Sequence, residues 1–402
     1  MPALAAPAVA AGGLSFNAVG EVLYDSNVLR ALSAGQAHRD DFRYSPALSG
    51  QYVRALGRTQ LDVNALVGYD FNQYNTYLNR NHFAAGGSLT ARAGASCTVA
   101  ATGNYSNRQN GIRSFGNAVP SPPGAGDLPP DDVGRLIDNR QIFVAYGGSA
   151  NCGSPGGRLS FGGAANHSGV SNGAASRAFA NSDSDVFSLF AGLGVFRPGS
   201  LQLNGSYSTI GYPNRLIIPG VPVTARSLNS GVKTYRVGLT YSRPIGTKLT
   251  GSIGASYLTA RPGGNQSPYS SPAYNVSLAY APSDRLSMSV AGSRNILAST
   301  TAGALYRIVD QIQASVQYQL GETITTHANV GLTSNNYKQS FDIPGEPARR
   351  SESSKVFGLG ASYSPGRRYD VSVFVSDTIR SADPSIYNYN SVKASVTLAV
   401  HI

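Results

Sequence analysis

The chain has 402 residues, a formal net charge of +11, 46 Gly, 23 Tyr, 14 Phe and no Trp, and only 13% of its residues are charged. Ordinary soluble domains carry about 25% charged residues, and no run of eighteen apolar residues is present to make a transmembrane helix. The Lys and Arg are dispersed, with Arg349-Arg350 and Arg367-Arg368 as the only doublets and no basic helix, so a nucleic-acid partner is not expected.

At the amino end, Met1 to Gly13 is Ala-rich and apolar but lacks the positive n-region of a full secretory signal. It reads as a signal-peptide remnant or a disordered N-terminus, which leaves residues 14–402 as a single domain. From there on, apolar residues alternate with period two in segments of about ten residues, the pattern of strands that cross a membrane as a barrel. In the clearest segment Leu61, Val63, Ala65, Val67, Tyr69 and Phe71 fall on one face, and Asp62, Asn64, Asp70 and Asn72 on the other. Further along, Ile312, Ala314, Val316, Tyr318 and Leu320 alternate with Gln311, Gln313, Ser315, Gln317 and Gln319.

Eight short turn signals punctuate the segments: Leu56-Gly57, Gly94, Gly153 to Gly157, Arg197 to Gly199, Pro244 to Gly246, Ala281 to Asp284, Leu320-Gly321 and Ser364 to Gly366. Between them lie longer connections such as Asn110 to Asp138, Pro213 to Gly231 and Lys338 to Glu352. Short turns on one side and long loops on the other are characteristic of outer-membrane barrels. Eight turns and nine loops predict an all-β fold, a transmembrane antiparallel β-barrel of about 18 strands, integral to the bacterial outer membrane, with both termini periplasmic. The last segment alternates to the chain end, Val392, Ala394, Val396, Leu398, Val400 and Ile402 against Ser391, Lys393, Ser395, Thr397, Ala399 and His401. This resembles the C-terminal signal read by the outer-membrane insertion machinery, with Ile402 where that signal usually has Phe.

The strand count puts Cys97 at the start of the fifth strand and Cys152 at the end of the sixth, so a disulfide between them is predicted, in an oxidising compartment. His38, His82, His167, His327 and His401 are scattered without metal-ligand spacing, and each is read as a loop or lumen group. Neither a metal nor any other cofactor is expected. His38 stands beside Arg39, Asp40 and Asp41, but no activated-Ser motif accompanies it, and the chain is not expected to be an enzyme. A barrel this wide leaves an aqueous channel.

Inward parity assigns Glu21, Asp25, Asn27, Asn64, Asn72, Arg92, Asn104, Arg108, Arg236, Gln311, Gln313, Gln317, Gln319 and Lys393 to the lumen wall, along with neutral groups such as Thr98, Thr102, Gln202, Asn204, Ser206, Asn275 and Asn329. Walls of this kind suit sugars, and the positive balance biases the field toward anionic solutes.

At the exit of the first strand stands Tyr24-Asp25-Ser26-Asn27-Val28-Leu29-Arg30. This segment resembles the Tyr-Asp-x-Asn-hydrophobic-hydrophobic-Arg segment of the outer-membrane β-barrels of exopolysaccharide operons, the β-barrel porin type 2 family. Tyr24, Asp25, Asn27 and Arg30 carry the match, which spans seven residues. The resemblance implies a polysaccharide cargo, exported through the barrel together with a periplasmic polysaccharide-export protein. The local reading of the same residues is structural: hydrogen bonds in the first loop, an interfacial Tyr, and Arg30 against lipopolysaccharide phosphate, with outer-membrane lipid as the surroundings. The alternative function is a stand-alone diffusion porin for small hydrophilic or anionic solutes, and a third reading is an adhesin or structural barrel without transport.

Overall fold

The computed structural model describes residues 13–28, 40–109, 139–153, 158–173, 178, 181–196, 199–214, 231–263, 267–299, 304, 306–338, 349–366 and 368–402. Eighteen strands follow in chain order: β1 (Gly13–Asp25), β2 (Asp41–Leu56), β3 (Thr59–Asn72), β4 (Arg80–Ala93), β5 (Cys97–Gln109), β6 (Arg140–Cys152), β7 (Leu159–Asn172), β8 (Ser182–Phe196) and β9 (Gly199–Gly211), then β10 (Val232–Ile245), β11 (Leu249–Pro262), β12 (Tyr269–Ser283), β13 (Leu286–Ala298), β14 (Tyr306–Leu320), β15 (Ile324–Lys338), β16 (Ser351–Tyr363), β17 (Tyr369–Asp383) and β18 (Tyr389–His401). Each pairs antiparallel with the next, and β1 pairs with both β2 and β18, so the sheet closes on itself. The fold is therefore the predicted 18-stranded barrel. All eight predicted short turns fall between an even strand and the following odd one, and the nine longer connections lie at the opposite end. The first strand begins, at Gly13, and the last strand ends, at His401, on the short-turn side. Of the expected signal remnant or disordered N-terminus over residues 1–13, Gly13 already belongs to β1 and the rest lies outside the described residues, as do His38, Leu29-Arg30 and the Asn110 to Asp138 loop.

Closure follows from the backbone. A strand in lipid has no water to satisfy its N–H and C=O groups, so only a sheet without edges can cross. Gly57, Gly94, Gly246 and Gly321 supply positive φ, from 60° to 73°, at four of the short turns, a conformation that a side chain with a Cβ resists.

The period-two pattern sorts the two faces. On β3, Val63, Val67, Tyr69 and Phe71 are exposed while Asp70 and Asn72 are buried. On β18, Val392, Val396, Leu398 and Val400 are exposed, and Ser391 and Lys393 point the other way. The face bearing the exposed large apolar side chains is the outer one. Its charges are confined to two levels. Arg54 and Arg243 lie near the short turns, while His167, Asp185, Lys233, Arg261, Arg294, Asp310, Lys355 and Asp377 lie toward the long loops. Between them the outer positions are uncharged and almost wholly apolar over about eight residues of strand, which at roughly 3.3 Å per residue and a tilt of about 40° is close to 20 Å of hydrocarbon contact. Aromatic rings mark both borders. Tyr241, Tyr280, Tyr318, Tyr363 and Tyr369 stand at the short-turn border, and at the other Phe187 and Tyr207 stack at 6.4 Å, and Tyr207 and Tyr235 meet at 5.1 Å.

His167 departs from its expected loop or lumen position. It sits on the outer face, its Nδ1 2.8 Å from Asp185 Oδ1 and its ring stacked on Tyr146 at 4.9 Å. It tolerates that face because it stands above the apolar belt, where polar groups meet headgroups and water.

Cys97 and Cys152 are directly opposite in the β5–β6 register and form the predicted disulfide, with Cα atoms 4.1 Å apart. The bond spans 55 residues of sequence, and cross-links over loops of that length stabilise by about 2–4 kcal/mol. Because the β5–β6 ladder is complete without it, the double substitution Cys97→Ser/Cys152→Ser should still give a folded barrel. It should unfold at lower denaturant, read as earlier loss of the compact band on unheated SDS gels. Titratable thiol in the untreated wild-type protein would contradict the bridge.

Candidate functional site

The inner wall changes character along the barrel axis. In the short-turn half of β12–β14 the inward Ser277, Ala279, Ser287, Ser289, Gln313, Ser315 and Gln317 are exposed even though the outer face of the same strands is exposed too. A sheet open on both faces bounds a water-filled space. Its hydroxyls pair across strands, Ser252 with Ser277 and Ser289 with Ser315, each at 2.7 Å. In the long-loop half the inward side chains are buried, and many of them are charged.

Two charged groups occupy that half. On β1–β4, Arg43 donates to Glu21 at 2.8 Å and its Nε lies 3.8 Å from Asp70. Asp70 also accepts from Ser45 and faces His82 Nδ1 at 3.4 Å. Gly68 lies opposite His82 on β3, where a Cβ would come within 2.4 Å of the imidazole, so the glycine makes the space the ring occupies. Nearby, the Asp41 carboxylate accepts from the backbone N–H groups of Gln73, Tyr74 and Asn75 at 2.8–3.0 Å and so fixes the β3–β4 connection.

The second group lies on β14–β17. Glu352 accepts from Tyr337 at 3.0 Å and from Arg380, and Arg349 Nη1 lies 3.8 Å from it. Arg307 is buried on the same wall, facing Tyr337 across the β14–β15 register. Arg349 lies 4.0 Å over the ring of Tyr387 and Arg380 5.5 Å over that of Tyr389. Two guanidinium groups, Arg349 and Arg380, share the Glu352 carboxylate, and Arg307 is a third on the same stretch of wall, which is therefore rich in arginine. Such pairs persist in a dry environment only with close geometry and further hydrogen bonds, which Tyr337 and Asn335 supply to Glu352.

A third feature narrows the lumen. The β12–β13 ladder stops short of the long-loop end, and the two strands separate above Asn275 and Ser293. The freed ends of β13 and β14 lean inward over β9–β11. Arg236 on the inner face of β10 donates to Asn295 Oδ1 at 2.9 Å and to the Arg294 carbonyl at 3.0 Å, and Ser299 N–H donates to Tyr212 at 3.0 Å. Tyr306 and Ile296 then pack on Ile210, Tyr212, Val232, Ala260 and Tyr269. At the start of the separated part, Arg294 and Asp310 form a two-bonded ion pair at 2.7 and 2.9 Å that ties the hairpin together on its outer side.

The register places every sequence-derived lumen candidate within a strand, Glu21, Asp25, Asn64, Asn72, Arg92, Asn104, Arg108, Arg236, Gln311, Gln313, Gln317, Gln319 and Lys393, on the inner face. They do not converge on one point. Gln313 and Gln317 line the open half, whereas Asn72 is buried in the charged half and Arg236 holds the hairpin. Sequence reading placed His82 as a loop or lumen group but missed Arg43, Arg307, Arg349, Glu352 and Arg380. For the strand residues among them, inward parity was the available signal. Arg349 precedes β16 and had none.

Asp25 and Asn27 act at the seam. Asp25 Oδ1 accepts from Asn27 N–H at 2.9 Å and from Ser391 at 2.6 Å, and its other oxygen lies 3.7 Å from Lys393. Asn27 donates to the Asn390 carbonyl at 3.0 Å, and Ser26 exchanges hydrogen bonds with the backbone of Val392. The segment that carried the family resemblance thus joins the first strand to the last.

The family model described as "Putative beta-barrel porin 2" matches residues 221–402, which include β10–β18. Over those residues the outer-membrane barrel is similar to that porin family. No curated protein matches the chain. Among solved structures, Pseudomonas aeruginosa OccK2 (OpdF) is 12% identical with a TM-score of 0.49, the alignment covering 97% of this barrel and 98% of that chain. The outer membrane protein opdK of the same organism is 11% identical with a TM-score of 0.46, covering 97% and 98%. The siderophore receptor PirA from Acinetobacter baumannii is 6% identical with a TM-score of 0.48, covering 98% and 81%.

Removing the Asp25 carboxylate leaves the Asn27 N–H and the Ser391 hydroxyl without their acceptor in a buried place, at about 1–3 kcal/mol for each group. Asp25→Ala should therefore lower the temperature at which the barrel loses its compact gel form by several degrees, while Gln313→Ala in the open half leaves it unchanged. Equal melting of the two variants would remove the seam from the account.

Proposed function

We propose that the barrel is a stand-alone diffusion channel for small hydrophilic solutes, with a preference for anions. In this reading the short-turn end and both termini face the periplasm. The observation that carries it is the arginine-rich wall of Arg307, Arg349 and Arg380, the last two sharing the Glu352 carboxylate, set beside the inward hairpin and leading to a wide half lined by Ser and Gln. A cation cluster with low-dielectric walls focuses field lines into the aperture and raises the local anion concentration. The family description over β10–β18 supports a porin.

Polysaccharide export rests on the Tyr24 to Arg30 segment alone. Asp25 and Asn27 are engaged at the seam, which gives those residues a structural reason to be there, and the inward hairpin narrows the route a polymer would need. Export would also require a periplasmic partner, whereas diffusion requires none. No part of the transport reading uses a nucleophile or a metal.

Reconstituted into planar bilayers, the protein should conduct, and under a tenfold KCl gradient its reversal potential should take the sign of chloride preference. Arg380→Gln combined with Arg349→Gln should shift the chloride-to-potassium permeability ratio toward unity by about twofold or more, as expected when two charges are removed from a focusing site. Zero conductance, or cation preference in the wild type, would reject the proposal. A strain lacking the gene should keep its surface polysaccharide, and loss of that polymer would favour export instead.

Arg236 supplies a separate check on the constriction. Arg236→Met removes both bonds to the β13 end while keeping most of the side-chain volume, so the hairpin should move and single-channel conductance should become larger or flicker between levels. A conductance trace indistinguishable from wild type would show that the hairpin does not limit flow.

A further inference from the structure

On the outer face, one cross-strand row runs His167, Asp185, Thr209, Lys233 and Arg261 over β7–β11, each residue opposite the next in the register. Its acidic member is already engaged: Asp185 lies 2.8 Å from His167 and accepts from Thr209 at 3.4 Å. Lys233 and Arg261, directly opposite one another, have no carboxylate partner among the described residues, and the ring of Tyr235, 5.3 Å from the Arg261 guanidinium, is the recorded contact of the pair. Like charges set directly opposite on a sheet destabilise it, so this pair is an unbalanced feature unless an anion lies between them.

The place of the pair defines that anion. The next row toward the short turns is the aromatic border, Phe187, Tyr207 and Tyr235, and beyond it come the exposed Val237, Leu239, Ile253 and Tyr257 of the apolar belt. Two cations one row above an aromatic border stand at the depth of lipid headgroups. The hydroxyls of Thr259 and Ser270, 3.2 Å apart and exposed on the same face, add neutral donors beside the pair. Arg presents a planar fork that matches phosphate oxygens, and Lys adds a point charge.

We propose that Lys233 and Arg261 form a lipid-binding site that holds a phosphate of the lipid A headgroup, with its acyl chains lying along the apolar faces of β10 and β11. The contrast with the neighbouring β13–β14 face supports the choice of place, because there the outward Arg294 is neutralised by Asp310 and offers no free charge. The assignment to lipid A rests on the long loops facing the cell exterior, and it is independent of what passes through the lumen.

The test is native mass spectrometry of the purified full chain in detergent, incubated with lipid A bearing its phosphates, with the same lipid A after phosphatase treatment, or with inorganic phosphate. Wild-type protein should retain the phosphorylated lipid at least tenfold better than the dephosphorylated form. Lys233→Gln/Arg261→Gln should lose that difference, while Lys233→Arg keeps it. Equal retention of the two lipids by the wild type would overturn the proposal, and so would undiminished retention by the double variant. Saturable binding of inorganic phosphate at the same concentrations would also overturn it, since that would make the pair a free-anion site. The comparison of lipids on the wild type decides the matter even if the double variant fails to fold.

Discussion

Everything in this barrel depends on the pairing of β1 with β18. Seventeen of the strand junctions join neighbours in sequence, but this one brings Asn17 to His401 and Asp25 to Lys393, across almost the whole chain. Until it forms, β1 and β18 each present a row of unpaired backbone groups, which is intolerable in hydrocarbon and a hazard outside it. Side chains reinforce the junction at both ends. At the long-loop end Asp25, Ser26 and Asn27 meet Asn390, Ser391, Val392 and Lys393, and at the short-turn end His401 lies 2.6 Å from Asn17 and 2.8 Å from Asp370, with the Ile402 N–H on the Phe16 carbonyl. The non-local junction, the one with the greatest loop-closure cost, is thus the one with polar latches at both borders of the membrane.

Once the sheet is closed, the side-chain period of two leaves only one choice of face for each residue, which is why so much of the fold was legible in the sequence. A one-residue slip on β3 would put Asp62 and Asp70 into lipid and Val63 and Val67 into water, so the register is strongly determined. The turn signals were equally plain, because two- or three-residue connections need Gly, Pro or Asp at fixed places. The Cys97–Cys152 pairing followed from turn positions and strand count alone.

What could not be read was anything that depends on strands leaving the cylinder. Ile296, Tyr306 and Ile308 have the parity of lipid-facing residues, yet Tyr306 is 2% exposed because the β13–β14 hairpin turns inward and lays its outer face on the inner wall of β9–β11. Alternation reports which side of its own sheet a residue lies on. It does not report what that side meets when the sheet parts. Among the described residues it is this short hairpin that narrows the lumen. Glu352 with Arg307 and Arg380 was equally hidden, because these residues come from three strands and the alternation in each is ordinary.

The two halves of the lumen follow from how a barrel distributes its costs. In the open half, neutral side chains meet water and need no partner, so Ser and Gln suffice and their exact identity has little effect on stability. In the narrow half, loss of water raises the cost of each charge, and it must be met by a neighbour fixed in place, as Arg43 is by Glu21 and Glu352 is by Tyr337 and Arg380. In the proposed channel the charges that set the sign of the aperture are therefore also the ones that hold its shape. Selectivity and rigidity would then not be separable there, because a looser aperture would admit the water that screens the charges. The outer face shows the complementary case: Lys233 and Arg261 stand where headgroups and water reach them, and there an unbalanced pair is tolerated because the membrane itself can supply the counter-charge.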